Sequence, residues 1–344
     1  MKATIPYAWL ALLSTVACLQ KVNGYEEDYY DEYEYDYDYM QGDTPLQAAV
    51  RENNVELVKS LLANDNDVKA TNKKGQTALI IAARHGCRMI ELLLPNSNVK
   101  ATGNRGNTAL INAAWYGNEK CVELLLPISD VKATNKYGYT ALMSAASSGN
   151  EKSVELLLPD SDVKATTNLG STALMMAAWS GDETSVELLL PRSDVKATNQ
   201  YGKNALMIAA RRTNEKSIEL LLPQSDVEAT DNDGNTALML LTSTCWVVRN
   251  FTVCRSVPTH RTYTSKIENE KSLKLLLLNS DVKATNNEGE TALMIAALYG
   301  DEKSMELLLP NSDVEATNNR GETALDIAKK RGHDQIVSLL QQQK

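Results

Sequence analysis

Aromatic bulk is scarce: one phenylalanine and four tryptophans serve a chain of 344 residues, and seven of its fourteen tyrosines crowd between Tyr25 and Tyr39. A core of large rings is excluded, so Leu, Ala, Met, Ile and Val must fill the interior. Histidine is equally rare. His85, His260 and His333 are the only three, and no Gly-x-Ser-x-Gly, phosphate-cradling glycine loop or His-Glu-x-x-His occurs. No catalytic residue, cofactor or metal ligand set is therefore expected, and the chain does not read as an enzyme. Excess positive charge is also missing. The net charge is −9, and the eight carboxylates between Tyr25 and Tyr39 account for nearly all of it. The near-neutral remainder excludes general electrostatic binding of nucleic acid.

What is present begins with a signal. Lys2 precedes a short apolar run, Ile5 to Ala17, which is too short to span a bilayer comfortably. Residues 1–24 read as a signal peptide cleaved after Gly24 or, less favoured, after Ala17. Secretion or residence in a secretory lumen is expected, with no membrane span once the signal is removed. Residues 25–41 read as a disordered, acidic, Tyr-rich arm, because self-repulsion and the lack of an apolar pattern oppose folding. Tyr29, Tyr33, Tyr35 and Tyr37, each flanked by carboxylates, suit sulfation. The arm either folds back as an internal competitor or recruits a basic partner.

From Gly42 the chain repeats. A Gly-x-Thr-x-Leu landmark places Thr, or Asn in one copy, at 44, 77, 108, 140, 172, 204, 236, 291 and 323. The steps are 31 to 33 residues, except one of 55. One copy suffices to read the unit. Thr291 can cap a first helix, Ala-Leu-Met-Ile-Ala-Ala, that Gly300 ends. Asp301 offers a second cap, a slot held elsewhere by Asn118, Asn150, Asp182, Asn214 and Asn269. A second helix with Met305, Leu307, Leu308 and Leu309 stops at Pro310, and a polar loop returns to Asn-x-x-Gly. No single unit can close a core, so the copies must stack.

Gly-x-Thr-Pro-Leu at Gly42 to Leu46, the glycine before the second helix, Leu-Leu and a downstream Asp-Val together resemble the ankyrin repeat. The resemblance covers residues 42–342 and implies an all-α solenoid of helix-turn-helix units with extended hairpin loops, nine copies in all. Most copies depart from the family in reading Thr-Ala-Leu-Met or Thr-Ala-Leu-Ile, and in being one residue shorter, at Leu-Leu-Leu-Pro. A slightly altered exit from the second helix is expected. Gln47 and Arg51 at one end, and Asp326, Lys329 and Lys330 at the other, are expected to give the terminal copies polar outer faces.

An insertion at about 243–267 interrupts the seventh copy. Cys245 and Cys254 within it are expected to form a disulfide, and Asn250 in Asn-Phe-Thr is a glycosylation candidate. With His260 they make poor zinc spacing. Cys87 and Cys121 read as packing residues. In the ankyrin architecture, first-helix ends and hairpin tips line one concave face. By position that face would carry Arg84, His85, Trp115, Tyr116, Trp179, Arg211, Arg212 and Tyr299 from helix ends, and Tyr137, Tyr139 and Tyr201 from tips. Lysines 73, 74, 136 and 203 and Arg105 would add tip charge, while later tips turn acidic at Asp233, Glu288 and Glu290. The resulting expectation is a monomeric scaffold binding one protein partner of unknown identity. The alternatives are a surface-coat spacer displaying the arm, and an exported effector acting in another cell.

Overall fold

The computed structural model describes residues 42–63, 68–243 and 268–342, and Thr44–Lys344 forms a compact unit of its own. The expected signal peptide, the acidic arm with its tyrosines, and the insertion with Cys245, Asn250, Cys254 and His260 lie outside these residues. Among the described residues there are helices and turns but no strand, in keeping with an all-α array.

The first helices of successive copies are α1 (Pro45–Arg51), α3 (Ala78–His85), α5 (Ala109–Trp115), α7 (Ala141–Ser148), α9 (Ala173–Ser180), α11 (Ala205–Arg211), α13 (Ala237–Thr242), α15 (Ala292–Tyr299) and α17 (Ala324–Arg331). Their partners are α2 (Val55–Ala63), α4 (Cys87–Leu93), α6 (Glu119–Leu125), α8 (Glu151–Leu157), α10 (Glu183–Leu189), α12 (Glu215–Leu221), α14 (Glu268–Leu277), α16 (Glu302–Leu308) and α18 (Asp334–Gln341). First helices pack on first helices and second on second along the stack. None exceeds ten residues, so each is marginal alone and is held by packing.

The landmark threonine caps as expected. Thr108 Oγ1 accepts from Ile111 N–H at 3.2 Å, and Asn204 Oδ1 does the same for Met207 at 2.9 Å. Ala82, Ala83, Ala113, Ala114, Ala145 and Ala146 are wholly buried, which lets consecutive first helices approach closely. Met89, Ile90 and Leu93 show how the second helices close the layer, each at zero exposure. Burying such a side chain contributes about 1.5–3 kcal/mol. The second helix exits through a 3-10 turn over Leu-Pro-x, at Leu94–Asn96, Leu126–Ile128, Leu190–Arg192, Leu222–Gln224 and Leu309–Asn311.

At most hairpin tips an Asn or Asp side chain folds the loop, while Gly103 and Thr167 hold that slot in two copies. Asn135 Oδ1 accepts from the N–H groups of Tyr137 and Tyr139 at 3.0 and 2.9 Å, and Asn199, Asp231, Asn286 and Asn318 repeat the pattern. Tips then join copy to copy. Lys136 N–H donates to Arg105 O at 2.9 Å, and equivalent bonds of 2.7–3.0 Å run from Asn104 to Asn319. In five copies an asparagine adds a side-chain rung, as where Asn168 Nδ2 donates to Lys136 O at 2.8 Å. The ladder crosses the interrupted copy intact, with Asn287 N–H donating to Asp233 O at 3.0 Å.

Two expectations need correction. Gln47 is not part of a polar outer face; it is 1% exposed, and its Nε2 donates to Ala70 O and Gln76 O at 2.8 and 2.9 Å, tying the first copy to the loop that follows. The residue before the second helix is also not a general N-cap. Asp301 caps, accepting from Ser304 N–H at 3.2 Å, and in the first copy Asn54 Oδ1 accepts from Leu57 N–H at 3.1 Å. Asn118, Asn150 and Asn214 make no side-chain cap. They reach back to the previous copy instead: Asn118 Nδ2 donates to Ala83 O and Arg84 O, Asn150 Nδ2 to Ala114 O and Trp115 O, and Asn214 Nδ2 to Ala178 O, at 2.7–3.1 Å. The orphan carbonyls of a helix C-terminus are thereby satisfied by the next copy.

Candidate interaction face

Helix ends and tips come near one another, as where Arg84 at a helix end acts on Lys74 at a tip, and the sequence spacing explains how. Residues one copy apart become neighbours, so side chains about 32 positions distant can touch. The Arg84 guanidinium lies over the Tyr116 ring, 4.8 Å from its centroid, joining α3 to the residue that caps α5. Arg212 lies over the Trp179 ring at 4.2 Å, joining α11 to α9. Each arrangement is a cation–π contact between adjacent copies.

The tips bring charge to the same place. Lys74 is held below the ordinary lysine value, first because the surrounding chain takes water from it, then by the charges of Arg105 and Arg84. His85 sits below the ordinary imidazole value, with partial desolvation leading and Arg84 and Arg51 following. Lys74 therefore lies in the field of Arg105 and Arg84, and His85 in that of Arg84 and Arg51, although Arg51 was expected only to make an end polar.

Tyr116 and Tyr137 are 39% and 40% exposed, and His85 is also exposed; Arg84, Trp115, Trp179, Tyr201, Arg211, Arg212 and Tyr299 are half-buried. Tyr139 is a correction. It is 6% exposed, because its N–H closes the Asn135 turn and draws the ring into the stack. Lys203, at 9% exposure, is likewise inside.

The far end of the tip row differs. Arg320 meets Glu290 at 3.1 Å and Glu322 at 3.0 Å, with Glu288 at 3.9 Å, and Lys330 meets Glu322 at 2.7 Å. Lys330, Asn318 and Arg320 together hold the Glu322 carboxyl down at about 2. Acid at copies eight and nine is thus answered within the array.

One backbone detail marks the Arg212 contact. Thr213 has φ +55° in a slot where most copies place glycine. A β-branched residue is strained there, and such strain concentrates at binding sites. Cys87 and Cys121 are free thiols close enough for one to act on the other. Burial first, then Cys87, pushes the Cys121 thiol far above its ordinary value. Among the described residues no group of three His, Cys, Asp or Glu side chains is placed to hold a metal ion. No helix among them is long and apolar enough to cross a membrane.

A family model described as "Ankyrin repeats (3 copies)" matches overlapping windows at residues 11–103, 46–135, 88–168, 113–199, 174–251 and 263–344. The chain belongs to the ankyrin-repeat family. Ankyrin arrays are interaction modules, so the family membership supports a protein partner. Among solved structures, the ankyrin repeat domain of Bcl-3, described as a unique member of the IkappaB protein family, is similar at 26% identity. The match covers 58% of this chain and 95% of that one, with a TM-score of 0.49. No curated protein matches. The ankyrin framework explains the positions the copies share. Arg84, Tyr116, Trp179 and Arg212 occupy positions where the copies differ.

Proposed function

We propose that this ankyrin protein is a secreted or lumenal scaffold that grips one protein partner on the face formed by its first-helix ends and hairpin tips. It works as a monomer without chemistry of its own. The observation that carries the reading is the pair of inter-copy stacks, Arg84 on Tyr116 and Arg212 on Trp179. Arginine and large aromatics dominate binding hot spots, and side chains already stacked lose little freedom on binding. Export rests on residues 1–24, and a disulfide between Cys245 and Cys254 with a glycan on Asn250 fits an oxidising compartment.

The test combines Trp179→Ala with Arg211→Glu and Arg212→Glu, compares partner capture from extracellular medium with that of the parent chain, and checks folding by circular dichroism. Loss of capture by a folded variant supports the reading. A spacer would tolerate the triple change and fail instead when residues 25–39 are removed. An effector acting inside another cell would be recovered from that cell's cytosol without a glycan on Asn250.

A further inference from the structure

The chain breaks its own pattern twice at one junction. Aligned on the leucine run of each second helix, the slot of Cys87 holds Glu119, Glu151, Glu183, Glu215, Glu270 and Glu302 in copies three to eight. The slot of Cys121 holds Ser153, Ser185, Ser217, Ser272 and Ser304 in copies four to eight. That glutamate slot reaches across to the next copy, where Glu215 meets Lys271 at 3.3 Å and Glu270 meets Lys303 at 3.6 Å. Between copies two and three a pair of thiols takes over the reach. Cys87 opens α4, Cys121 lies in the first turn of α6, and these two helices pack together. After burial, Cys87 is the neighbour that raises the Cys121 thiol, which places the two side chains side by side although they stand 34 positions apart in sequence.

Packing accounts for Cys121, which is wholly buried in a slot for small side chains. It does not account for Cys87, which is half-exposed where other copies place a charge. We propose that Cys87 and Cys121 form a redox pair whose oxidation closes an intrachain disulfide between α4 and α6. The bond staples copy two to copy three, the junction that also carries the Arg84–Tyr116 stack. It stands apart from the partner reading and from the expected bond between Cys245 and Cys254.

The oxidant is a small disulfide such as oxidised glutathione. Cys87, reached from solvent, attacks one of its sulfurs as the thiolate and expels one glutathione, leaving a mixed disulfide. Cys121 then loses its proton, attacks the Cys87 sulfur and expels the second glutathione. Two cysteine thiols are oxidised, one disulfide is reduced to two glutathione thiols, and both cysteine protons end on those thiols. Because Cys121 is buried, the second step is the slower one.

The test takes the full chain, reduced and then equilibrated in glutathione buffers of rising oxidised fraction. Remaining thiols are blocked with N-ethylmaleimide and the chain is cut with trypsin for mass spectrometry. Cleavage after Arg84, Arg88, Lys120 and Lys132 releases His85–Arg88 and Cys121–Lys132, which should appear joined as the buffer becomes more oxidising. Cys121→Ser, which installs the residue other copies carry, should stop at a glutathione adduct on Cys87. Cys87→Glu, which restores the usual residue of that slot, should leave Cys121 unmodified. Hydrogen exchange of the α4 and α6 amides should slow at least about fivefold on oxidation, while α10 and α12 stay within about twofold.

Several results would overturn the proposal: no joined peptide at any buffer ratio, lasting glutathione adducts on both cysteines of the parent chain, or preferred joining of either one to another cysteine or another chain. A joined peptide that leaves α4 and α6 exchange unchanged would also overturn it, since the bond would then staple nothing.

Discussion

Gly117→Ala tests how one copy closes the helix of another. Gly117 has φ +67°, so any side chain there costs about 1–2 kcal/mol for left-handed backbone. A Cβ would also stand 2.5 Å from Asn150 Oδ1 and 2.9 Å from its Cγ. The asparagine cannot swing away freely, because its Nδ2 donates to Ala114 O at 2.9 Å, Trp115 O at 2.8 Å and Ser148 Oγ at 2.7 Å. Each bond contributes about 0.5–1.5 kcal/mol net, so their disruption adds about 1–3. Gly117→Ala should therefore cost about 2–5 kcal/mol. Gly332→Ala, at φ +75° with nothing within 4 Å of its Cβ, should cost only the backbone part. Native-state hydrogen exchange of the α5 and α17 amides reads each copy locally, which matters because arrays need not unfold in one step. Asn150→Ala should cost about 1–3 kcal/mol in the parent and at least about 1 kcal/mol less in the Gly117→Ala background. Strictly additive costs, or a Gly332→Ala effect as large as that of Gly117→Ala, would refute the coupling.

Other outcomes follow from the same geometry. Thr213→Gly should stabilise copy six by about 0.5–1 kcal/mol in urea unfolding, as relief of left-handed strain exceeds the added chain entropy; destabilisation would show that the threonine conformation is unstrained. Cys121, wholly buried with its thiol pushed up, should alkylate at pH 8 at least about tenfold more slowly than half-exposed Cys87 when peptides are followed by mass spectrometry; equal rates would contradict the packing. The Glu322 carboxyl is held down from 4.5 to about 2, so its contribution is complete above the unfolded value and fades as pH falls through the folded one. Glu322→Gln should thus flatten the acid limb of last-copy exchange between pH 4.5 and 2, and an unchanged limb would remove Glu322 from that role. Replacing residues 244–267 with the short link of other copies should keep the array folded and stabilise it by about 1–2 kcal/mol through the shorter loop closure; loss of the copy-seven helices would show that the insertion supports them.

Much of the array was legible because its instructions are local. Thr108, Leu110, Ala113 and Pro127 each fix a cap, a packing contact or a stop within a few residues of themselves. What was not legible depends on partners one copy away. Asn150 has the composition of an N-cap, but a carbonyl pair 35 and 36 residues earlier claims its amide. Gln47 looks like surface polarity until its two acceptors, 23 and 29 residues on, draw it inside. Tyr139 reads as a tip aromatic, yet a turn that needs its N–H turns it inward. The stacked pairs were named residue by residue, and their separations of 32 and 33 positions carried the signal for joining them.

The tip ladder gives the array a mechanical character. Its junctions lie in series, so a pull between the ends loads every one of them equally, whatever its neighbours do. Five junctions carry an asparagine rung beside the backbone bond. Lys136 and Gln200 stand where that asparagine would be, and beside those backbone bonds Asn135 Nδ2 donates to Asn107 Oδ1 at 2.9 Å and Asn199 Nδ2 to Ser171 Oγ at 3.5 Å. Each junction thus has its own set of bonds, so a tethered partner would feel a graded spring rather than a rod.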